Sequence, residues 1–130
     1  WWYGAEVAAF EAEYAAYQDA AHCVSCSNGT VAIEIAVQAL GIKPGDEVIV
    51  PPYTFVSTCM APARMGAIPV FADVNDTWCL DPDAVEAAIT ERTRAIIPVH
   101  FGSSLADMDR RRAIASKHGL KIIEDAWHSW

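Results

Sequence analysis

The sequence has few basic residues and no long apolar run. Nine lysines and arginines stand against 17 aspartates and glutamates in 130 residues, a formal net charge of −8. This balance argues against a nucleic-acid or anionic-membrane surface, and we expect neither as a partner. No stretch approaches the roughly 18 uninterrupted apolar residues of a transmembrane helix, and the N-terminus lacks the basic segment of a signal peptide.

Cysteine is also scarce: the chain has four. Cys23 and Cys26 have the CxxC spacing of zinc and dithiol sites, but no second pair stands at a matching spacing to complete four zinc ligands. We therefore expect no metal, and small buried side chains at these positions. Nothing suggests a disulfide framework, so a reducing cytoplasm is the expected location.

Two common phosphate-binding motifs are absent. The sequence contains neither G-x-x-x-x-G-K-[ST] nor G-x-G-x-x-G, so it predicts neither a P-loop nor a dinucleotide site of the usual kind. What is present is a composition that is 53% hydrophobic and 20% charged, which is typical of a globular protein with a sizeable core. The chain starts without methionine and stops just past a motif, which predicts a piece of a longer protein.

Short apolar runs alternate with helical patterns along the chain. The predicted strands cover residues 22–25, 47–50, 68–74, 93–100 and a last segment from Leu120. The predicted helices cover 6–20, 31–40, 53–65, 82–89 and 107–118. This order predicts right-handed βαβ crossovers and hence a three-layer α/β/α fold with a mainly parallel sheet of about five strands.

Two of these helices carry marked apolar patterns. Helix 6–20 has one stripe on a single face, formed by Val7, Phe10, Tyr14 and Tyr17. Helix 31–40 has only two polar residues, Glu34 and Gln38, and is therefore predicted to be buried. Helix 53–65 contains Pro62, which should kink it or delay its start.

The first turn with chemical interest is Ser27-Asn28-Gly29-Thr30. Gly29 allows a close backbone approach, and the free N–H groups at the start of the following helix favour an anion, most often phosphate. Ordinary helix capping by Ser27 or Asn28 is an equally good reading on local grounds.

Two further turns share the same sheet edge. Tyr53 or Phe55 could stack on a flat ring, with core packing as the alternative. Glu124 and Asp125 end the last strand, and His128 follows; a carboxylate there is costly without a partner and could hold a protonated ring nitrogen. A planar, phosphorylated, nitrogen-containing ring would use all three turns.

These motifs, in this order, resemble the DegT/DnrJ-type aminotransferases. The resemblance runs through five segments: Ser27-Asn28-Gly29-Thr30, Gly45 to Pro51, Thr54 to Thr58, Pro98-Val99-His100 with Ala106 to Asp109, and Ile123-Glu124-Asp125-Ala126. Members of this family are pyridoxal-phosphate (PLP) enzymes of fold type I that make amino sugars. The resemblance spans nearly the whole chain.

The resemblance implies a role for particular residues. Gly29 and Thr30, with Asn28 beside them, would take the cofactor's phosphate, and Phe55 would stack on its pyridine ring. Asp125 would pair with the pyridinium nitrogen. His128 falls where the family has Gln or His near the phenolic oxygen. Trp127 replaces a small residue, and either packs against the following segment or shapes the substrate side.

The resemblance also implies what lies beyond the chain. Residues 1–130 would be a partial PLP-binding large domain, without the Schiff-base lysine segment and the C-terminal small domain, and this piece would be inactive by itself. The whole enzyme would be a cytoplasmic homodimer that moves an amino group from glutamate or glutamine to a keto sugar, most often nucleotide-linked, or to a keto cyclitol. The alternatives are a sugar 3-dehydratase, with histidine in place of that lysine, and a non-catalytic regulatory or truncated relative.

Overall fold

A computed structural model of the chain describes residues 4–127. The helices are α1 (Ala5–Tyr17), α2 (Gly29–Ala39), α3 (Ser57–Arg64), α4 (Pro82–Ala88) and α5 (Met108–His118). The strands are β1 (Glu47–Val50), β2 (Ile68–Phe71), β3 (Thr93–Ile96) and β4 (Lys121–Ile122). From α2 onward helices and strands alternate, as the sequence predicts. Within this part of the chain no helix is long and apolar enough to cross a membrane.

The strands of residues 4–127 form one parallel sheet in the order β2-β1-β3-β4. Every connection between neighbouring parallel strands contains a helix, which is the arrangement that parallel pairing requires. The predicted α/β class with a parallel sheet is confirmed. All four residues of β1 are buried, because β1 is a central strand covered on both faces.

The core has two halves, one on each face of the sheet. On one face, Val48 and Val50 pack with Ile33 of α2 and Ala61 of α3. On the other face, the intervening residue Ile49 packs with side chains of α4 and α5, among them Val85 and Ile114. This alternation along β1 follows the period of a strand and gives the three layers. Full burial of an isoleucine such as Ile49 contributes about 1.5–3 kcal/mol.

The predicted helix boundaries are confirmed where a capping residue marks them. The side chain of Asp81 accepts a hydrogen bond from the Asp83 N–H, and Pro82 occupies the first turn of α4. The side chain of Asp107 caps α5 in the same way through the Arg110 N–H, and α5 ends at Gly119 with a left-handed backbone (φ 66°). Short polar side chains at helix starts are therefore reliable signals in this chain.

The prediction of a strand at 22–25 is wrong. This segment has no regular secondary structure and pairs with no strand in the described part of the chain. The carboxylate of Glu11 on α1 instead accepts hydrogen bonds from the Ser25 N–H (2.7 Å) and from the Ser25 hydroxyl (2.8 Å). The Ser25 N–H is therefore bonded to a side-chain carboxylate instead of to the backbone carbonyl of a neighbouring strand.

The prediction that helix 31–40 is buried is also wrong. Only Ile33 and Val37 of α2 are buried, and Ile35 is 45% exposed. The apolar stripe of α1 is exposed too, and its rings contact one another: Phe10 stacks on Tyr14, and Tyr14 contacts Tyr17. In both helices the apolar surface exceeds what the described sheet can cover.

Some predicted elements are shorter than expected. Helix α3 begins at Ser57 rather than at 53, and Pro62 lies inside it, beyond the first turn, so this proline does not account for the late start. Strand β3 ends at Ile96 rather than at 100, because Pro98 lacks the N–H that would continue the ladder. Beyond Pro98, Val99 makes an isolated parallel bridge to Asp125.

The guanidinium of Arg111 on α5 is buried in the core. Its side chain is fully buried, and no hydrogen-bond partner for Nε, Nη1 or Nη2 lies within the described residues. Burial lowers the pKa of Arg111, while the charges of Asp107 and Asp81 act in the opposite direction. A buried cation without a partner destabilises the folded state.

We therefore expect Arg111→Met to stabilise the protein by about 1–3 kcal/mol, since an apolar side chain of similar length removes the unpaired charge. Denaturant-induced unfolding of the variant measures this. The control is Arg112→Met: Arg112 is exposed and lies 3.7 Å from Glu124, so its loss should change the free energy of unfolding by less than about 0.5 kcal/mol. A clear destabilisation by Arg111→Met would show that the guanidinium has a partner.

Candidate functional site

One cleft of about 430 Å³ lies at the carboxyl edge of the sheet. Segments from three parts of the chain form it: the start of α2, the turn between β1 and α3, and the segment after β4. The cleft contains five of the six residues that we predicted to bind a cofactor, Asn28, Gly29, Thr30, Phe55 and Asp125, together with Trp127. The sixth, His128, lies outside the described residues. A cleft of this size is within the range of small-molecule sites.

The start of α2 forms one wall of the cleft. Asn28 has an extended backbone, and its side-chain oxygen accepts a hydrogen bond from the Val31 N–H at 3.0 Å. The prediction of an N-cap is confirmed at Asn28. Within residues 4–127 the N–H groups of Gly29 and Thr30 have no hydrogen-bond acceptor. Two free donors and the positive end of the helix dipole therefore face a ligand site that suits an anion.

Trp127 packs across this turn. A Cβ added to Gly29 would lie 3.2 Å from Cε3 of the Trp127 ring, closer than ordinary van der Waals contact. The absence of a side chain at Gly29 therefore allows the indole to approach the helix start. The other face of Trp127 is open, with 74% of the residue exposed. Trp127 therefore contacts Gly29 and also lines the cleft, so both readings of this residue, packing against the following segment and shaping the substrate side, stay predictions.

The turn between β1 and α3 separates its two aromatic residues. Phe55 lines the cleft and is 71% exposed, so core packing is excluded for it. Tyr53 packs elsewhere, against Trp78 and Phe101, with ring centroids 5.0 and 4.8 Å apart. Phe55 is therefore the aromatic residue of this turn that can meet a flat ligand in the cleft.

Asp125 is held in the cleft by its backbone and by its side chain. Its N–H donates to the Pro98 carbonyl at 2.9 Å, and its carbonyl accepts from the His100 N–H at 3.1 Å. Its Oδ2 accepts a hydrogen bond from the Thr58 hydroxyl at 2.8 Å. The Thr54 and Thr58 hydroxyl oxygens are also 2.8 Å apart. The carboxylate is thus partly satisfied and still borders the cleft.

Glu124, the neighbouring carboxylate, has different surroundings. Its Oε2 lies 3.3 Å from Nε2 of the buried His100, and its Oε1 lies 3.7 Å from Arg112. The His100 Nδ1 accepts a hydrogen bond from the Ala106 N–H, so Nε2 carries the proton and donates to Glu124. Adjacent residues of an extended segment point to opposite sides, which explains the division of roles.

The remaining candidate groups lie away from the cleft. Lys43 and Lys121 line a depression together with Asp46 and Arg94, near the amino ends of β1 and β3. Lys117 pairs with Glu86 at 2.5 Å on the outer surface. Within residues 4–127 no group of three or more His, Cys, Asp or Glu side chains is arranged to hold a metal ion.

Sequence reasoning did not assign a role to Thr54, Thr58 or His100. The two threonines stand four residues apart, but Thr54 precedes α3, so a helical spacing argument does not apply to it. A usable signal for Thr54 was its position in the turn after a buried strand, where polar side chains reach the ligand edge of a parallel sheet.

Comparisons with known proteins agree with this geometry. The sequence model of the DegT/DnrJ/EryC1/StrS aminotransferase family matches residues 1–130. The chain belongs to this family. Its DegT/DnrJ relatives include the UDP-2-acetamido-2-deoxy-3-oxo-D-glucuronate aminotransferase of Pseudomonas aeruginosa, 49% identical over 98% of this chain. They also include the L-glutamine:2-deoxy-scyllo-inosose aminotransferase of Streptomyces kanamyceticus, 47% identical over 89% of it. The names of these two relatives describe amino transfer to a nucleotide-linked sugar and to a cyclitol.

Solved structures of the DegT/DnrJ family share the fold. NtdA from Bacillus subtilis, described with the bound cofactor PMP, matches with a TM-score of 0.95 and 41% identity over 98% of this chain. Structures of this group are PLP-dependent aminotransferases of fold type I. The chain spans only about a third of its relatives' length: 36% of the P. aeruginosa enzyme, 27% of the S. kanamyceticus enzyme and 29% of NtdA.

The contact between Gly29 and Trp127 predicts an energetic coupling. We expect Gly29→Ala to be less favourable by about 1 kcal/mol with Trp127 in place than without it, because the added methyl group would lie 3.2 Å from the indole and force it to shift. In a Trp127→Ala background the same substitution should have no such cost, because the obstructing ring is gone. Unfolding free energies of the four proteins of this double-mutant cycle measure the coupling. Equal effects in both backgrounds would show that the ring does not rest on Gly29.

Proposed function

We propose that residues 1–130 form the N-terminal part of the PLP-binding large domain of an aminotransferase. The whole enzyme moves an amino group from glutamate or glutamine to a keto sugar, most often nucleotide-linked, or to a keto cyclitol. The observation that supports this most strongly is the convergence of an anion-binding helix start, an open aromatic ring and a carboxylate on one cleft. The family's aminotransferases support the reaction class.

The residues of the cleft fit PLP group by group. The free N–H groups of Gly29 and Thr30 suit a phosphate, and the Asn28 cap keeps them in a helical geometry. The exposed ring of Phe55 suits stacking on a pyridine ring. Asp125 suits a protonated ring nitrogen, because an acceptor-only carboxylate pairs best with a charged donor. His128 is proposed to lie near the phenolic oxygen.

When bound, PLP supplies an electron-withdrawing ring that stabilises negative charge at the carbon of the substrate amine. The work of this chain is to bind and orient. Asp125 holds the proton on the ring nitrogen and so maintains the positive charge there. Gly29 and Thr30 hold the phosphate, and Phe55 fixes the plane of the ring, so that the reacting groups meet in a constant geometry.

The covalent lysine is proposed to lie in another part of the enzyme. The chain has three lysines, and each lies away from the cleft: Lys43, Lys117 and Lys121. A lysine outside residues 1–130 would therefore serve as the anchor and the general base. By the same argument the 130-residue chain alone is proposed to be inactive. The complete enzyme is also proposed to be a cytoplasmic homodimer, which is what the family resemblance implies.

The role of Asp125 is tested in the full-length enzyme by replacing it with alanine. We expect amino transfer to slow by about 10²–10³-fold, because the ring nitrogen loses the carboxylate that keeps it charged. Thermal melting should show that the fold persists. Turnover is measured as amino acid consumed with a keto-sugar acceptor.

The matched control is Glu124→Gln, which alters the adjacent carboxylate that does not line the 430 Å³ cleft. Its turnover should stay within a few-fold of the unchanged enzyme. Near-normal turnover of Asp125→Ala would contradict the assignment. Loss of water from the sugar without transfer of nitrogen would favour the dehydratase alternative, and a folded protein with neither activity would favour a regulatory relative.

A further inference from the structure

A buried hydroxyl lies directly behind the carboxylate of Asp125. Thr58 is fully buried in the first turn of α3, and its Oγ1 lies 2.8 Å from Asp125 Oδ2. An ionised carboxylate only accepts hydrogen bonds, so the Thr58 hydroxyl is the donor. This bond joins segments that are 67 residues apart in the sequence.

Thr54 extends this bond into a chain with one direction. Its Oγ1 lies 2.8 Å from the Oγ1 of Thr58, and either oxygen could donate on distance alone. A hydroxyl has a single hydrogen, and that of Thr58 is used on Asp125. Thr54 therefore donates to Thr58, and Thr58 donates to Asp125. Each link polarises the next in the same sense.

The two oxygens of Asp125 consequently have unequal surroundings. Oδ2 has the short bond from Thr58, whereas Oδ1 has only a long contact of 3.5 Å with the Trp127 N–H. The backbone of Asp125 is fixed on both sides by Pro98 and His100. With the main chain and Oδ2 both fixed, Oδ1 remains as the oxygen that a ligand in the cleft can engage.

We propose that Thr58 is a positioning residue for Asp125, and that Thr54 reinforces it. This inference rests on the proposed function, because Asp125 must hold the ring nitrogen for its position to matter. Thr58 touches no part of the cofactor in this account; it acts by preventing rotation of the carboxylate away from the ring. Supporting groups of this kind keep a reacting group within the narrow range of productive geometry.

The test uses the full-length enzyme loaded with PLP and the variants Thr58→Val, Thr58→Ser and Thr54→Val. Valine keeps the shape of threonine without the hydroxyl. We expect Thr58→Val to slow the half-reaction with glutamate by about 10–100-fold, with a KM for glutamate within about threefold, in line with losses of outer-shell partners at other sites. The pH at which the absorbance band of the bound cofactor changes should shift as well.

The other two variants test whether the effect follows the loss of the Thr58 hydroxyl. Thr58→Ser restores the hydroxyl and should return both rate and spectrum to within about threefold of the unchanged enzyme. Thr54→Val leaves the bond between Thr58 and Asp125 in place and should slow the half-reaction by less than Thr58→Val does, about 2–10-fold. If Thr58→Val fails to fold, the rates and spectra of the serine and Thr54 variants decide the question.

The matched control is Thr93→Val. Thr93 is also buried, and its hydroxyl also lies near a carboxylate, that of Glu47, but at the start of β3, on the opposite edge of the sheet. Thr93→Val should lower the melting temperature and leave the spectrum and the half-reaction unchanged. Thr58→Val with an unchanged rate and spectrum, or Thr58→Ser without rescue, would overturn the inference. An unchanged enzyme that shows no cofactor band and no half-reaction would instead overturn the proposed function.

Discussion

The parallel pairing between β3 and β4 sets the position of Asp125. Ala95 pairs with Lys121 and Ile96 with Ile122, and the isolated bridge from Val99 to Asp125 keeps the same register beyond Pro98. Side chains alternate between the two faces of a sheet, so a shift of one residue would exchange Asp125 with Glu124. Which carboxylate faces the cleft therefore depends on a backbone register that the buried residues of β3 and the buried Ile123, directly after β4, help to specify.

The other parts of the site follow from the same sheet. The turn after β1 and the segment after β4 leave the sheet at its carboxyl edge, and the start of α2 packs over that edge through Ile33. This brings Gly29, Phe55 and Asp125 together although long stretches of sequence separate them. The cost of placing a carboxylate there is reduced by Thr58 behind it, and an incoming cationic ring would reduce it further. The parallel sheet therefore determines both the fold and the position of the site.

Much of this arrangement could be predicted because it depends on local chemistry. Caps such as Asn28, Asp81 and Asp107 act on the next turn of their own helix, and β-branched runs such as 47–50 indicate buried strands. Convergence of the turns follows from the geometry of any parallel sheet. Asp125 and Phe55 were predicted in the cleft for that reason, and the structure brings them there.

The rest depends on contacts between distant residues, which no local pattern encodes. The Glu11 carboxylate accepts a hydrogen bond from the Ser25 N–H, so the segment 22–25 is held by α1 and not by strand pairing. The burial of Arg111 depends on how α5 docks, and the approach of Trp127 to Gly29 depends on two separate segments. The exposed apolar faces of α1 and α2 illustrate a different limit, since an apolar pattern predicts a buried face only where a neighbour exists to cover it.

The central claim is that this chain supplies the non-covalent half of a PLP site. Reduction of the full-length, cofactor-loaded protein with borohydride, followed by peptide mapping, tests it most directly. The account predicts a cofactor absorbance band and one reduced cofactor–lysine adduct, on a lysine C-terminal to residue 130. An adduct on Lys43, Lys117 or Lys121, or a folded full-length protein with no cofactor band, would contradict it.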